Sequence, residues 1–398
     1  MEQLFYRYNP WWEPGWELTG IVPREKPMSL LESALERKEV TFISGIRRVG
    51  KTTLMKLLIK RLIKSGISPS SVFYISLDDY LLRGKNIPEL VDEFRKIQKI
   101  SFAEKIFLFL DEVTYIEDHE QQLKNIFDSQ NIKIFASSSS ASLLRKGKPF
   151  LTGRNRVIEI APLDHEEFLL FKGYTTSKSD MHLQDVYFEE YLSTGGIPEF
   201  VKYGEGDYIK DLVDDIIMKD ISVVHGIREP ARLKEMFLLL MERAGKSISI
   251  NKMANILGTS PDTVKRYLAY FEDSFLISTL TRCGKTNENL LAPKKIYAVD
   301  LGIRNMFTGF RDKGSLFENY IYNKIRYLDP CYYFVDGIEI DFMIAKKILI
   351  EAKYDSNLSD KQKLLFDSAD LPYKFVIDSY RGIAEVIKAI DKIQGDRR

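Results

Sequence analysis

The sequence predicts an α/β protein: a parallel sheet covered by helices, then a helical segment, a helix–turn–helix with a strand pair, and a smaller mixed α/β region. Three observations predict it. Between residues 40 and 160, short β-branched or aromatic runs alternate with stretches of helical length. A loop bounded by glycines at 45–52 leaves the first of those runs and opens a helix. After residues 161–245, which lack strand signal, the chain returns to strand and helix through residues 301–398.

A chain of 398 residues exceeds one ordinary core and suits two or three domains. The expected divisions are an arm at 1–35, the sheet domain at 36–160, a helical segment at 161–228, the helix–turn–helix region at 229–300 and the last α/β region at 301–398. A net charge of +1 gives no whole-molecule basic field, although a local basic face stays possible. Two cysteines, Cys283 and Cys331, suggest reduced thiols in a cytoplasmic setting rather than a disulfide framework. None of the four histidines has zinc-finger spacing with a cysteine pair. No apolar run approaches the roughly 20 residues that span a bilayer, so no membrane partner is expected.

The arm reads as irregular, with Trp11, Trp12 and Trp16 among Pro10, Pro14 and Gly15. Its tryptophans suit packing on the next domain, or an aromatic wall beside a nucleotide base. Strands are expected at 40–44, 72–77, 106–110 and 132–137, all nearly continuous in apolar residues and therefore buried on both faces. Helices are expected at 52–65, 88–102 and 119–129 between them. Beyond the sheet, 185–192, 207–221 and 231–244 read as helices, with a break at Gly195-Gly196-Ile197-Pro198.

Gly45, Ile46, Arg47, Arg48, Val49, Gly50, Lys51 and Thr52 fit the phosphate-binding pattern G-x-x-x-x-G-K-[ST], followed by Thr53. Glycines let backbone N–H groups converge on phosphate oxygens, and the helix that follows adds its positive end. Lys51 is expected to reach the β- and γ-phosphates, and the Thr52 hydroxyl to ligate Mg²⁺. The strand at 106–110 ends in Asp111-Glu112 at the sheet edge where ligands bind. Asp111 would hold the Mg²⁺ shell, and Glu112 would polarise the attacking water. The expected cofactors are a nucleoside triphosphate and Mg²⁺.

With these residues in view, the chain resembles the AAA+-like archaeal ATPases related to the signal-transduction ATPases with numerous domains. The resemblance rests on Gly-Ile-Arg-Arg-Val-Gly-Lys-Thr-Thr from Gly45, Phe-Leu-Asp-Glu-Val from Phe109, Leu-Thr-Gly-Arg from Leu151, Asp-His-Glu-Glu-Phe from Asp164 and Gly-Gly-Ile-Pro from Gly195. It implies ATP as the nucleotide cofactor, a P-loop NTPase sheet with a helical lid, and a polar sensor at the end of the fourth strand. That sensor matches Ser137 or a neighbour in Ser137-Ser138-Ser139. It also implies an arginine sensor or finger, for which Arg154 is the candidate; a finger acting across subunits would make the protein a homo-oligomer. The Gly-x-Pro at 196–198 resembles a lid motif whose proline, Pro198, touches adenine; the plainer reading is a turn that ends a helix.

Residues 248–257 and 261–271 read as helix–turn–helix, with Ser260 as cap and Pro261 at the first helical position. Strands near 276–281 and 295–299 would complete a winged helix. Val264, Leu268 and Phe271 share one face, leaving Thr263, Lys265 and Arg266 outward as candidate DNA contacts. The same element also serves elsewhere as a protein-packing module.

In the last region, a helix at 316–328 carries Glu318, strands at 332–335, 338–344 and 348–352 follow, and a helix and strand close the order. Asp341 and Glu351 fall on adjacent strands, and Lys353 leaves the same face as Glu351. Helix, three strands, helix, strand and the Asp-x₉-Glu-x-Lys spacing resemble the restriction-endonuclease-like fold. There Asp341 and Glu351 would hold Mg²⁺, with Glu318 and Lys353 assisting. Two functions are thereby expected: an ATPase that binds or cuts DNA, or a non-cleaving ATP-controlled switch whose winged helix and tail bind protein or DNA. A metabolic P-loop kinase would leave the C-terminal third unexplained.

Overall fold

The computed structural model describes residues 1–141, 153–175, 180, 182–204 and 206–395. The chain divides into two compact units, Met1–Ala161 with Asp273–Phe275, and Pro162–Glu272 with Leu276–Arg398.

The first unit holds five strands: β1 Val40–Ser44, β2 Val72–Ser76, β3 Ile106–Asp111, β4 Ile132–Ser138 and β5 Asn155–Glu159. They form one parallel sheet in the order β2-β3-β4-β1-β5. β1 to β4 carry continuous apolar runs because helices cover both faces, and Phe42, Phe73, Leu108 and Ile134 are buried in one core. β5 went unread as a strand because it is an edge, with Asn155 exposed and Arg156 half-buried. The order inserts β4 between β1 and β3, so the carboxyl ends of three neighbouring strands converge.

The arm departs from the irregular reading. Glu2–Tyr8 and Glu25–Ser33 are α-helices, and Pro10–Trp12 is a 3₁₀ turn. Their apolar faces find a sheet edge to cover, which local pattern alone does not reveal. Asn9 works as a surrogate strand on β2: its side-chain amide donates to the Tyr74 carbonyl (2.9 Å) and accepts the Tyr74 N–H (2.7 Å). The indole N–H groups of Trp11 and Trp12 donate to the Val72 carbonyl at 3.2 and 3.0 Å. The arm thus satisfies polar groups that an open edge strand would expose. The tryptophans pack structurally, as the plainer of the two expectations held.

In the second unit, helices Leu183–Thr194 and Pro198–Tyr203 flank the glycine turn. Tyr208–Asp215 continues into a π-helical stretch, Ile216–Val223, where a single helix was expected. Helix Pro230–Met241 leads to β6 Lys246–Ser247, helices Ile250–Leu257 and Pro261–Asp273, β7 Ile277–Leu280 and β8 Lys295–Ala298. The three strands form an antiparallel sheet ordered β6-β8-β7. Helices Leu301–Thr308 and Lys313–Ile325 follow, then β9 Cys331–Val335, β10 Ile338–Ile344, β11 Ile348–Ala352, helix Asp360–Ser368, β12 Tyr373–Ile377 and helix Ile383–Gly395. β9, β10 and β11 are antiparallel, and β12 joins β11 in parallel. One core runs through Leu163, Phe188, Tyr297, Phe317, Phe342 and Ile350, so this unit folds around a shared interior.

Cys283 and Cys331 correct the expectation of reduced thiols: they form a disulfide. The Cys283 N–H donates to the Tyr332 carbonyl (2.8 Å), and the Tyr332 N–H donates to the Thr281 carbonyl (3.0 Å). That parallel bridge brings residues 48 apart in sequence to a Cα–Cα distance of 5.0 Å. The cysteine count therefore no longer argues for a reducing compartment. Among the described residues no helix is long and apolar enough to cross a membrane.

Candidate nucleotide-binding site and carboxylate cluster

The 45–52 segment follows β1 directly and runs into helix Lys51–Lys64, whose first residue is Lys51. Gly45 takes a positive φ of 154°, and a Cβ there would stand 2.3 Å from the Ile160 carbonyl oxygen. Only glycine fits so close a backbone approach. Ile46 and Val49 are fully buried, so they anchor the loop. Arg47 is half-buried, and Arg48 and Thr53 are exposed. Gly50, at φ 98°, caps the helix. Lys51 is 4% exposed and donates to the Gly45 and Ile46 carbonyls at 2.9 and 3.2 Å.

Asp111, the last residue of β3, collects three hydroxyl donors. Thr52 donates to its Oδ2 at 2.5 Å and Tyr74 to the same oxygen at 2.8 Å, while Ser137 donates to Oδ1. Strand register accounts for this: Leu110 pairs with Ala136, so the next residues, Asp111 and Ser137, meet at the sheet's carboxyl edge. Thr52 and Asp111 therefore turn their oxygens toward one point, which suits a small hard cation that prefers oxygen ligands.

Glu112 lies 3.8 Å from the Lys51 ammonium. Its backbone is left-handed (φ 51°), an unfavourable conformation for a non-glycine residue. It is held there by its N–H donating to Ser137 Oγ (2.9 Å) and by its carboxylate accepting from the N–H and hydroxyl of Ser139, both at 3.2 Å. Burial pushes the Glu112 carboxyl above its ordinary range, Lys51 opposes that rise and Asp111 reinforces it. A buried carboxylate of raised basicity is chemically suited to take up a proton from water. The serine run thus divides its contacts: Ser137 addresses Asp111 and the Glu112 N–H, and Ser139 addresses the Glu112 carboxylate.

Tyr74 was not among the expected residues. Its donation to Asp111 depends on β2 lying beside β3, which no local pattern states. Arg154 stands apart from its own site. Its carbonyl accepts the N–H of Val40, the first residue of β1, so it sits at the amino edge of the sheet, about 13 Å along β1 from the loop. Its guanidinium pairs with Asp128 at 2.8 Å on the surface. A sensor role within one subunit is corrected by that position. Leu151 and Thr152 of the motif preceding it lie outside the described residues.

Within the second unit, the 195–198 turn packs backbone to backbone. The Gly196 N–H donates to Asp300 Oδ2 at 2.6 Å, and the Leu163 N–H donates to the Gly196 carbonyl at 2.7 Å. Pro198 opens the next helix at its first position. On helix Pro261–Asp273, Val264, Leu268 and Phe271 are buried, Lys265 and Arg266 exposed and Thr263 half-buried. Ser260 accepts the Thr263 N–H as the expected cap (3.1 Å).

In the last sheet, Asp341 and Glu351 are brought together. The Asp341 N–H donates to Glu351 Oε2, and the Ala352 N–H to Asp341 Oδ2, each at 3.0 Å. Lys353 pairs with Glu351 Oε1 at 2.9 Å, which also accepts from Gln362 at 2.8 Å. The fourth member is Lys295, which sequence reasoning missed. This lysine, 2% exposed at the start of β8, reaches Glu318 (2.6 Å), Glu339 (2.8 Å) and Asp341 (3.4 Å). Burial and the Asp341 charge push Glu318 up to about 7, opposed by Lys295, and likewise push Glu351 up to about 7, opposed by Lys353. Burial alone would lower Lys295, but Glu318, Asp341 and Glu339 more than reverse it and hold the ammonium charged. Among the described residues, no group of three or more His, Cys, Asp or Glu side chains is placed to hold a metal ion.

Residues 37–169 match the family described as an AAA domain, and residues 186–314 match a domain of unknown function, DUF8612. An uncharacterized protein of Methanocaldococcus jannaschii is 28% identical over 358 residues, covering 84% of this chain and 78% of its own length. An uncharacterized protein of Haemophilus influenzae is 27% identical over 314 residues, covering 76% and 77%. Among solved structures, the Walker-type ATPase of Pyrococcus abyssi aligns at TM-score 0.43 and 14% identity, covering 72% of this chain and 96% of that one. AMPPCP-bound DnaA from Aquifex aeolicus aligns at 0.29 and 18%, covering 64% and 89%. Likenesses that remote carry no argument. The AAA match, the loop, the strand order and the Asp111 geometry agree on a P-loop NTPase fold for the first unit.

Proposed function

We propose that the protein binds and hydrolyses ATP with Mg²⁺ and uses the cycle to act on DNA. One observation carries the reading: the junction at Asp111, where the loop hydroxyl of Thr52 and the strand-end hydroxyl of Ser137 meet on one buried carboxylate beside Glu112 and Lys51. Thr52 and Asp111 would hold Mg²⁺, which when bound neutralises charge on the β- and γ-phosphates. The loop's backbone N–H groups would cradle the phosphates. Lys51 would swing from the Gly45 and Ile46 carbonyls to the γ-phosphoryl oxygens, where negative charge builds. Glu112 would orient the attacking water and accept its proton, and Ser137 would register the γ-phosphate through Asp111 and the Glu112 N–H. Arg154 fits only a finger offered to a neighbouring copy, which would require a homo-oligomer.

For DNA, the reading rests on the succession of helix, strand, two helices and hairpin at 230–298, a winged-helix order, with Lys265 and Arg266 exposed on its second short helix. A restriction-endonuclease-like reading of the C-terminal region is supported by its sheet order β12-β11-β10-β9, with one helix before β9 and another between β11 and β12. The non-cleaving, ATP-controlled switch is favoured over a cutting enzyme by Lys295 among Glu318, Glu339 and Asp341.

Turnover measured with and without duplex, forked and single-stranded DNA, beside Lys51→Ala, tests the proposal. Stimulation by DNA and loss of turnover in the variant are expected. Hydrolysis that survives Lys51→Ala would refute the ATPase assignment. Replacing Lys265 and Arg266 together by alanine should weaken DNA binding and flatten its salt dependence; an unchanged slope would remove them from the interface.

A further inference from the structure

The carboxylates on β10 and β11 and on helix Lys313–Ile325 resemble a divalent-metal site in their order along the chain, yet their geometry is already complete without one. The Lys295 ammonium has three hydrogens, and three carboxylates stand within 3.4 Å of it: Glu318, Glu339 and Asp341. Further protein donors engage four of the carboxylate oxygens. Asp341 Oδ2 accepts the Ala352 N–H, Glu351 Oε2 accepts the Asp341 N–H, and Glu351 Oε1 accepts from Gln362 and Lys353. Glu318 Oε1 accepts in addition from the Tyr297 hydroxyl at 2.7 Å. Mg²⁺ needs near-octahedral oxygens at about 2.0–2.1 Å, so it would have to compete with the donors already on both Asp341 oxygens and sit beside a buried ammonium. Glu339 lines an open cavity of about 400 Å³ together with Ser247, Arg282, Pro293, Tyr332 and Phe334.

We propose that Lys295 is the resident cation of this cluster, taking the place of a divalent metal, so that the C-terminal region serves binding rather than metal-dependent cleavage. The lysine comes from β8 and its three partners from β10 and helix Lys313–Ile325, so one side chain ties the three-stranded sheet to the four-stranded one. The inference bears on the nuclease-like reading of the tail and leaves ATP hydrolysis untouched, so it is tested without nucleotide.

Full-length protein is titrated with Mn²⁺ alone, bound ion being counted by the loss of the free-ion paramagnetic signal, in parent, Asp341→Asn, Lys295→Met and the double variant. Parent and Asp341→Asn should give the same isotherm. Lys295→Met should gain one Mn²⁺ per chain, bound at least tenfold more tightly than any ion on the parent, and lose it in the double variant. Its melting temperature should rise with Mn²⁺ while the parent's does not, and a Lys295→Met chain that folds only with Mn²⁺ added supports the proposal equally. A stoichiometric Mn²⁺ site on the parent that Asp341→Asn abolishes would overturn it, and that comparison needs no lysine variant to fold. A folded Lys295→Met protein with no added site would overturn it as well.

Discussion

The phenol of Tyr74 donates to Asp111 Oδ2 across 2.8 Å, on the same oxygen that accepts the Thr52 hydroxyl. A residue of the edge strand β2 thereby orients the carboxylate at the end of β3. Tyr74 is buried, and burial together with the Asp111 charge pushes its hydroxyl far above the ordinary tyrosine range, so it stays a donor at any physiological pH. Its backbone is held in turn by the Asn9 amide, so the arm reaches the site through one strand residue.

Tyr74→Phe keeps the ring against Tyr8 and Trp11 and removes only the donor. A hydrogen bond to a charged group is worth about 1.5–3 kcal/mol, part of which a water would replace. ATP turnover is expected to fall about 3- to 10-fold, with a higher Mg²⁺ requirement. Turnover followed across a Mg²⁺ titration checks this, and superimposable curves for parent and variant would remove Tyr74 from the site.

The disulfide between Cys283 and Cys331 closes a loop of 48 residues. Restricting the unfolded chain over that span stabilises the fold by roughly 2–4 kcal/mol. Replacing both cysteines by alanine, or adding a strong reductant, should lower the urea midpoint of the second unit correspondingly. A midpoint indifferent to reductant would show that the bond contributes nothing in solution.

What could be read from sequence was whatever local spacing carries. The 45–52 loop, Asp111-Glu112 and the β1–β4 runs are visible because consecutive residues do the work: a strand ends, a glycine loop turns, a helix begins. The Asp341, Glu351 and Lys353 group was visible for the same reason, since two adjacent strands present it. Tyr74, Lys295 and the disulfide were not, because each takes its meaning from a partner far away in sequence. Lys295 begins an apolar strand and shows no polar periodicity of its own. The helices of the arm escaped notice because tryptophans and prolines dominate the local composition, while the edge of β2 supplies their partner.

His165 makes stability sensitive to acid. Its ring lies among Phe188, Tyr191 and Tyr380, and its Nε2 has no hydrogen-bond partner. Burial, then the nearby Lys324, lowers its pKa from 6.5 to about 4, against the pull of Asp164 and Glu166. The unfolded chain thus takes up a proton below pH 6.5 that the folded chain refuses. The stability that His165 permits is full above 6.5 and is lost as pH falls toward 4, by on the order of 2–3 kcal/mol. Glu318 and Glu351, raised to about 7, act in the opposite sense, so the test is a difference between proteins. His165→Phe should lose less stability than the parent between pH 7 and 4.5 in urea titrations; parallel pH profiles would contradict the assignment.

Gly196 distinguishes a packing turn from a nucleotide contact at 195–198. A Cβ on Gly196 would stand 2.2 Å from the Leu163 carbonyl oxygen and 2.8 Å from its nitrogen. The turn tolerates no such atom, because Gly196 exchanges its polar groups with Asp300 and Leu163 at 2.6 and 2.7 Å. Gly302 faces the same constraint from the other side, with a Cβ only 2.0 Å from the Thr194 carbonyl. Backbone and Asp300 must shift together to admit alanine, at a cost of roughly 2–4 kcal/mol, partly from a buried carboxylate losing its donor. Gly196→Ala and Gly302→Ala should therefore lower the unfolding midpoint alike. Pro198→Ala, which keeps the turn and removes only the ring, should leave ATP affinity within about twofold of the parent by fluorescent-nucleotide titration, since a single shallow contact is worth little. A tenfold weaker affinity in Pro198→Ala with unchanged stability would assign the proline to the adenine instead.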